Sequence, residues 1–174
     1  FPGIKLDDAT LNLAYSEAGV ERVAAMGCNW VILMCCYGLS PEAGEAMYAT
    51  FQQAVGLYHQ AGIRVVGGIE TAACVCQGSY RNKDWYARDA WRQRIPLHRK
   101  RYYTCWNADA WRDEVRSYIQ TVLNSGADGV WFVSPWTGGM PLDIGRGLAG
   151  SAGCHDDRCQ KAYAEASNGA PIPG

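Results

Sequence analysis

The fold is indicated by one short stretch of the chain, YHQAGIRVVGGIE at residues 58–70. A helical pattern ends at a glycine, and a β-branched apolar run follows directly. Glycine readily adopts the left-handed conformation that ends many helices, and a continuous apolar run is typical of a strand covered on both faces. The stretch therefore predicts a helix, a tight turn and a buried parallel strand.

The same pattern occurs twice more, in AAMGCNWVILMCC at residues 24–36 and in LNSGADGVWFVSP at residues 123–135. The three glycines, at positions 27, 62 and 126, are 35 and 64 residues apart, which is about one and two βα units. Helices are predicted over residues 17–26, 42–60, 110–124 and 155–167, and an edge strand within residues 1–8.

These elements predict an α/β protein with parallel strands and long loops at their carboxyl ends. A closed (β/α) barrel needs eight strands and about 250 residues. We therefore expect residues 1–174 to form a single domain that is a partial (β/α) barrel, about half of a TIM barrel. Its open sheet edges predict pairing with a second copy of the chain or with the remaining half of a barrel.

Composition excludes several functional classes. The 174 residues are 48% hydrophobic and 19% charged, with a net charge of −1. A protein that binds nucleic acid needs a basic surface, and a membrane-spanning helix needs about 20 apolar residues, so neither nucleic acid nor a membrane is an expected partner. The content of apolar residues is sufficient for a folded core.

Eight cysteines favour an exported, extracellular protein with disulfides. Cys28, Cys35 and Cys36 lie in or beside an apolar strand and fit equally well as small buried side chains. The other five are expected in loops, where disulfides are favoured over a zinc site that would use thiolates and His155. Neither a metal site nor a cofactor is predicted. The five loop cysteines are Cys74, Cys76, Cys105, Cys154 and Cys159.

Two long segments, residues 71–107 and 134–153, follow predicted strands, and in parallel α/β proteins such connections form the functional site. Glu70 directly follows the apolar run VVGGI and is the best candidate for a catalytic carboxyl group. Hydrolysis of a glycosidic bond uses two carboxyl groups, and Asp143 is the candidate partner. Asp128 precedes its strand, so we interpret it as a structural cap.

Aromatic side chains are abundant in the same segments, with seven Trp and ten Tyr in the chain. Their flat faces suit stacking on sugars, and ordinary packing is the alternative for each of them. The aromatic residues predicted to bind substrate are Tyr37, Trp85, Tyr103, Trp106 and Trp136.

Several phrases in sequence order resemble the hypothetical glycoside-hydrolase-like barrels, which are relatives of α-amylase and of family-42 β-galactosidase TIM barrels. The phrases are AGIRVVGGI, NKDWYARDA, RYYTCWNADAWRDEV, GADGVWFVSPW and CHDDRCQKAY. The likeness covers most of the chain but only the amino-terminal half of a family barrel. It implies a carbohydrate partner and adds Asn107 and Arg112 to the predicted substrate-binding residues.

The chain departs from the family pattern at two informative positions. The family's strand-end Asp is replaced by Val133, and the middle Cys of its Cys-rich phrase is replaced by Asp156. Valine cannot act as an acid, a base or a nucleophile. The sequence thus predicts a carbohydrate-active domain that is degenerate as a catalyst, and the alternative is a non-catalytic self-assembling or glycan-binding module of an exported protein.

Overall fold

The computed structural model describes residues 13–98, 100–133 and 154–172, and the predicted edge strand within residues 1–8 lies outside them. The chain is a mixed α/β protein, and a short 3-10 turn at Gly78–Tyr80 separates β3 from β4. Among the described residues, no helix combines the length and the apolar composition that crossing a membrane requires. The elements, in chain order, are α1 (Glu17–Ala25), β1 (Trp30–Cys36), α2 (Pro41–Gln60), β2 (Arg64–Glu70), β3 (Ala73–Val75), β4 (Pro96–His98), β5 (Arg101–Tyr103), α3 (Asp109–Asn124), β6 (Gly129–Val133) and α4 (Asp157–Ala166).

The three strands predicted from the repeated pattern form one parallel sheet in the order β1-β2-β6. Strands β1 and β2 are parallel, with Trp30 opposite Arg64 at one end. At the start of β2 the Asp128 amide donates to the Val65 carbonyl, and just beyond its end the Thr71 amide donates to the Val133 carbonyl. Strand β6 therefore runs in the same direction, and the predicted parallel sheet is confirmed.

The glycine turns are also confirmed. Gly27, Gly62 and Gly126 have φ angles of +72°, +73° and +86°, in the left-handed region that residues with a Cβ rarely adopt. Each one closes a helix and leads within a few residues into a strand of the parallel sheet. Helix α2 begins at Pro41, because proline is already fixed at the φ of a first helical turn.

Helices α2 and α3 cover one face of β2. At Gly67 an added Cβ would overlap the Val122 side chain and lie 3.0 Å from the Phe51 ring. Phe51, Val65 and Val122 are fully buried. The missing side chain at Gly67 therefore allows both helices to approach the strand closely.

Two compact units can be distinguished in the chain, and each is made of segments that are distant in sequence. The sheet unit comprises the described parts of Phe1–Cys36, Gly44–Ile69 and Tyr118–Trp131. The loop unit comprises Tyr37–Ala43, Glu70–Ser117 and the described part of Phe132–Gly174. The segments that follow the carboxyl ends of β1 and β2 thus fold together, and the predicted connection after β6, residues 134–153, lies outside the described residues.

The loop unit contains structure that the sequence did not predict. Residues 71–107 were expected to be a long loop, but β3, β5 and β4 form a small antiparallel sheet there. Its strands are only three residues long, too short to show an alternating pattern. An aromatic cluster forms the core of this unit, with edge-to-face contacts of Trp85 to Tyr80, Tyr86 and Trp111.

Candidate functional site

Glu70 is the last residue of β2 and belongs to the loop unit. Because side chains alternate along a strand, it lies on the side of β2 opposite to Gly67. Its Oε1 atom accepts a hydrogen bond of 2.9 Å from the Ala72 amide. Burial raises the pKa of the Glu70 carboxyl, and the Ala72 amide and the Arg101 charge oppose that rise only in part. A carboxyl group whose pKa is raised is better suited to act as a proton donor.

The neighbouring strands end without a second carboxylate. Strand β1 ends at Cys36 and β6 at Val133, so among the described strands of the parallel sheet only β2 ends in an acid. The predicted partner Asp143 lies outside the described residues. The described part of the site therefore offers one carboxyl group at the strand ends.

The predicted aromatic residues occupy different environments. Trp85 is only 1% exposed, in the aromatic core, which fits the packing alternative. Tyr37 and Tyr103 are half-buried, and the Arg101 guanidinium donates to the Tyr37 carbonyl. Trp136 lies outside the described residues. Trp91 was not predicted to bind substrate, yet it is 68% exposed.

Trp106, Asn107 and Arg112 surround the amino-terminal end of α3. The Arg112 guanidinium donates to the Trp106 carbonyl through Nη1 at 2.7 Å and pairs with the Asp109 carboxylate. The Asn107 side chain donates from Nδ2 to the Cys159 sulfur at 3.3 Å. Two of the three polar contacts are thus within the segment itself, and the third leads to a group of cysteines.

That group brings together three of the five cysteines expected in loops. The sulfurs of Cys105, Cys154 and Cys159 all lie within 4.8 Å of one another, and those of Cys105 and Cys159 are 3.3 Å apart. All eight cysteines of the chain are free thiols in this structure, so the predicted disulfides are not confirmed. Cys74 lies in β3, where the sequence had indicated a loop, and Cys159 lies in α4, within the helix predicted over residues 155–167.

The three cysteines in or beside the apolar strand β1 differ in burial. Cys35 is buried, Cys36 is half-buried and Cys28 is exposed. Only Cys35 therefore fully matches the small buried side chain that was one interpretation of the set.

The cysteine group stabilises a negative charge on one of its sulfurs. Hydrogen bonds from Cys105 and Cys159 lower the pKa of the Cys154 thiol to about 2, and backbone amides of Arg88 and Asp156 act in the same direction. The hydrogen bond with Cys154 is the largest cause that raises the pKa of Cys105. Three convergent sulfurs fit the donor set that thiophilic metal ions prefer.

Asp156, at the position where the family pattern has a cysteine, is engaged elsewhere. Its carboxylate is 5% exposed and forms two hydrogen bonds with Arg158, at 2.6 Å to Nε and 2.9 Å to Nη2. Its Oδ1 atom also caps α4 by accepting from the Arg158 amide at 3.1 Å. A further contact of 3.7 Å links it to Arg88. Asp156 thus acts as a helix cap and an ion-pair partner.

The described residues also include Asp128, which was predicted to be a structural cap. Its Oδ2 atom accepts from the Val65 amide and lies near His59 Nε2, both at 2.8 Å. The hydrogen bond from Val65 is the main cause that lowers the pKa of Asp128. The structural role predicted for Asp128 is confirmed.

Comparison with known proteins agrees with this geometry. No family model matches the sequence. A β-galactosidase of Halorubrum lacusprofundi is 26% identical over 157 residues, which are 86% of this chain and 20% of that protein. A noncanonic maltogenic α-amylase from Thermotoga neapolitana matches with a TM-score of 0.52 at 16% identity, over 69% of this chain and 34% of the amylase. A trehalulose synthase, MutB, matches with a TM-score of 0.50 at 13% identity, over 68% of this chain and 30% of that enzyme.

These likenesses confirm the resemblance to glycoside-hydrolase-like TIM barrels that the sequence phrases indicated. The chain spans about a fifth of the matched β-galactosidase and about a third of the matched amylase. The fold is therefore that of a glycoside-hydrolase relative, represented in part.

Proposed function

We propose that this chain forms part of a (β/α) barrel that binds carbohydrate at the carboxyl ends of its parallel strands, without completing a hydrolytic pair of its own. The folding of the connections after β1 and β2 into one unit supports this location for the site. The matched proteins are named as a β-galactosidase and a maltogenic α-amylase. Galactosides and malto-oligosaccharides are therefore the first ligands to test.

One observation carries the proposal. Among the described strands of the parallel sheet, only β2 ends in a carboxylate, and β6 ends in Val133. Glycoside hydrolysis needs one carboxyl group as acid and a second as base or nucleophile. Glu70 alone can hydrogen-bond a sugar hydroxyl but cannot supply both functions. A catalytic partnership of Glu70 with Asp143 stays a prediction.

The test is calorimetric titration of the purified chain with both sugar classes, together with chromatography of the products after long incubation. We expect binding without hydrolysis, and weaker binding after Glu70→Gln, because the variant cannot offer a charged acceptor. Glu165→Gln is the matched control, since Glu165 is an exposed carboxylate on α4. Absence of binding would contradict the carbohydrate site, and hydrolysis that Glu70→Gln abolishes would contradict the degenerate catalysis.

The barrel part of the proposal is supported by a face of the parallel sheet that the described residues leave exposed. Trp30 is 54% exposed, Ile32 38% and Trp131 52%. Ile32 is paired with Val66, and an added Cβ at Gly129 would face Val66 at 3.8 Å, so the three side chains share the face opposite to Gly67. Parallel sheets are normally covered on both faces. We propose that further strands, from the rest of a barrel or from a second copy, cover this one.

Mass measurement in solution tests the second-copy form of that idea. Trp30→Glu and Trp131→Glu should convert an oligomer into a monomer of unchanged secondary structure, because a carboxylate cannot be buried unpaired in an apolar interface. Trp91→Glu is the control, because Trp91 is equally exposed but lies in the loop unit. A wild-type chain that is already monomeric would leave the remaining barrel strands as the occupant.

A second function is favoured by the cysteine group. We propose that Cys105, Cys154 and Cys159 bind a thiophilic divalent cation, with Zn²⁺ as the first candidate. A metal bound there would join residue 105, before α3, to residues 154 and 159, at the start of α4. A zinc-loaded chain should melt at a higher temperature than the chelator-treated chain, and Cys159→Ser should remove most of the difference. Equal melting temperatures would contradict this function.

A further inference from the structure

We infer that the Cys105–Cys154–Cys159 site holds its cation through three thiolates and leaves one coordination position open to a small exogenous ligand, either water or a soluble thiol. The inference rests on the metal-binding function proposed above. Metal binding alone does not require an open position, because structural zinc sites are usually closed by four protein ligands.

The first support is the make-up of the site. Within the described residues, no fourth cysteine, no imidazole nitrogen and no carboxylate oxygen lies within 4.8 Å of all three sulfurs. His155 follows Cys154 directly in the chain, yet its ring is not part of the group. A tetrahedral cation bound to the three sulfurs would therefore lack a fourth ligand from these residues.

The second support is the condition of Asp156, the acid nearest in sequence to Cys154. One carboxylate oxygen accepts from Arg158 Nε and from the Arg158 amide, and the other accepts from Arg158 Nη2. Turning this carboxylate towards a metal would break a two-point ion pair in a nearly dry environment and uncap α4. Leaving a nearly buried carboxylate without its partner is strongly unfavourable. Asp156 is therefore held as a positioning residue outside the coordination sphere.

The third support is access to the sulfurs. Cys105 is fully buried, whereas Cys154 and Cys159 are half-buried. The Asn107 side chain donates to the Cys159 sulfur at 3.3 Å, which orients that sulfur. A small ligand can therefore approach from the side of Cys154 and Cys159, and a soft ligand such as a thiol would match the softness of the three sulfurs.

The experiment uses Co²⁺, whose visible absorption reports the number and kind of its ligands. The purified chain is stripped of metal under reducing conditions, loaded with Co²⁺ without oxygen, and then titrated with 2-mercaptoethanol. We expect thiolate-to-cobalt bands on loading and a saturable shift of the visible bands during the titration. The Asp156→Asn variant keeps a capping side-chain oxygen, so it should fold and give the same bands and the same shift.

Two further samples make the result decisive. Asp156→Cys supplies a fourth thiolate, and we expect its cobalt bands to resemble the thiol-saturated wild type and to ignore added thiol. Asp157→Asn is the matched control, because Asp157 is an exposed acid that directly follows Asp156 in the chain. It should behave as wild type.

The outcomes separate this inference from the metal-binding function. Absence of cobalt bands in the wild type would contradict metal binding, and the inference would fall with it. Bands that do not respond to added thiol would leave metal binding intact and overturn the open position. Loss of the bands in Asp156→Asn, with unchanged circular dichroism, would identify Asp156 as a ligand and would also overturn it.

Discussion

The two acids at the ends of strand β2 have opposite environments. At the start of the strand, Asp128 accepts from the Val65 amide and pairs with His59, and its pKa is lowered. At the end, Glu70 is partly buried, and burial raises its pKa although the Ala72 amide opposes the rise. The first carboxylate is satisfied as an anion, so it serves stability. The environment of Glu70 favours its neutral, protonated form, which is costly for stability and useful for proton transfer.

The largest effect is expected where the end of β2 depends on the aromatic core. Trp111 is fully buried, contacts Trp85, and donates from Nε1 to the carbonyl of Thr71, the residue after Glu70, at 3.2 Å. Trp111→Ala should lower the free energy of unfolding by about 3–5 kcal/mol, since it removes a large buried side chain. Denaturant unfolding measures this.

The control for that prediction is Trp91→Ala. Trp91 is 68% exposed, so its removal should change the free energy of unfolding by no more than about 0.5 kcal/mol. A similar loss in both variants would show that the end of β2 does not depend on the aromatic cluster in particular.

The middle of β2 should give the next largest effect. Gly67→Val places a side chain where Val122 and Phe51 already lie, and overpacking of this kind costs about 1–3 kcal/mol. Gly56→Ala in α2 is the control, because a Cβ there meets open space and alanine favours a helix by about 1 kcal/mol. Thermal unfolding should lower the melting temperature of the first variant and raise that of the second. A stabilised Gly67→Val would show that the helices do not approach β2 as closely as described.

The start of β2 should give a smaller loss. Asp128→Ala leaves the buried Val65 amide without its side-chain acceptor and removes the partner of His59, at a cost of about 1 kcal/mol. The ion pair adds little to this, because both side chains are more than a third exposed. Asp113→Ala, which breaks an exposed ion pair with Arg116 on α3, should cost less when both are compared by urea unfolding. The opposite order would contradict the structural role of Asp128.

The smallest effect is in the pH dependence, where the two acids should act in opposite directions. The lowered pKa of Asp128 gives stability that is present above the pKa of the unfolded state and is lost as pH falls through the folded pKa. The raised pKa of Glu70 means that the folded state keeps this proton to a higher pH, so stability falls as pH rises from the pKa of the unfolded state towards the folded pKa.

Unfolding free energies of Glu70→Gln and Asp128→Asn, measured across this pH range, check the signs. With rising pH, the free energy of unfolding of Glu70→Gln should fall less than that of wild type. The free energy of unfolding of Asp128→Asn should rise less than that of wild type. Two differences of the same sign would show that the two ends of β2 are electrostatically alike.

The same contrast explains what the sequence could predict. The β1, β2 and β6 strands and the role of Asp128 depend on local patterns, an apolar run after a glycine and an acid just before a strand. In the β3-β5-β4 sheet, β3 pairs with β5 about 30 residues further along the chain, and the adjacent strands β4 and β5 are too short to show an alternating pattern. The cysteine group is likewise not visible in a local pattern. Cys105 and Cys159 are in contact although they are 54 positions apart, and the spacing of Cys154 and Cys159 resembles no common metal motif.

The interleaving of the two units along the chain has a consequence for biosynthesis. The sheet unit is incomplete until residues up to 131 have been made, and the loop unit until those near the carboxyl end have followed. Neither unit corresponds to a consecutive fragment that could be produced alone by truncation. During translation, strand β1 and helix α2 are made before the distant segments that they pack against. We therefore expect the chain to acquire its structure slowly, late and in a concerted way. Until then its apolar strands are exposed, and a chaperone would protect them.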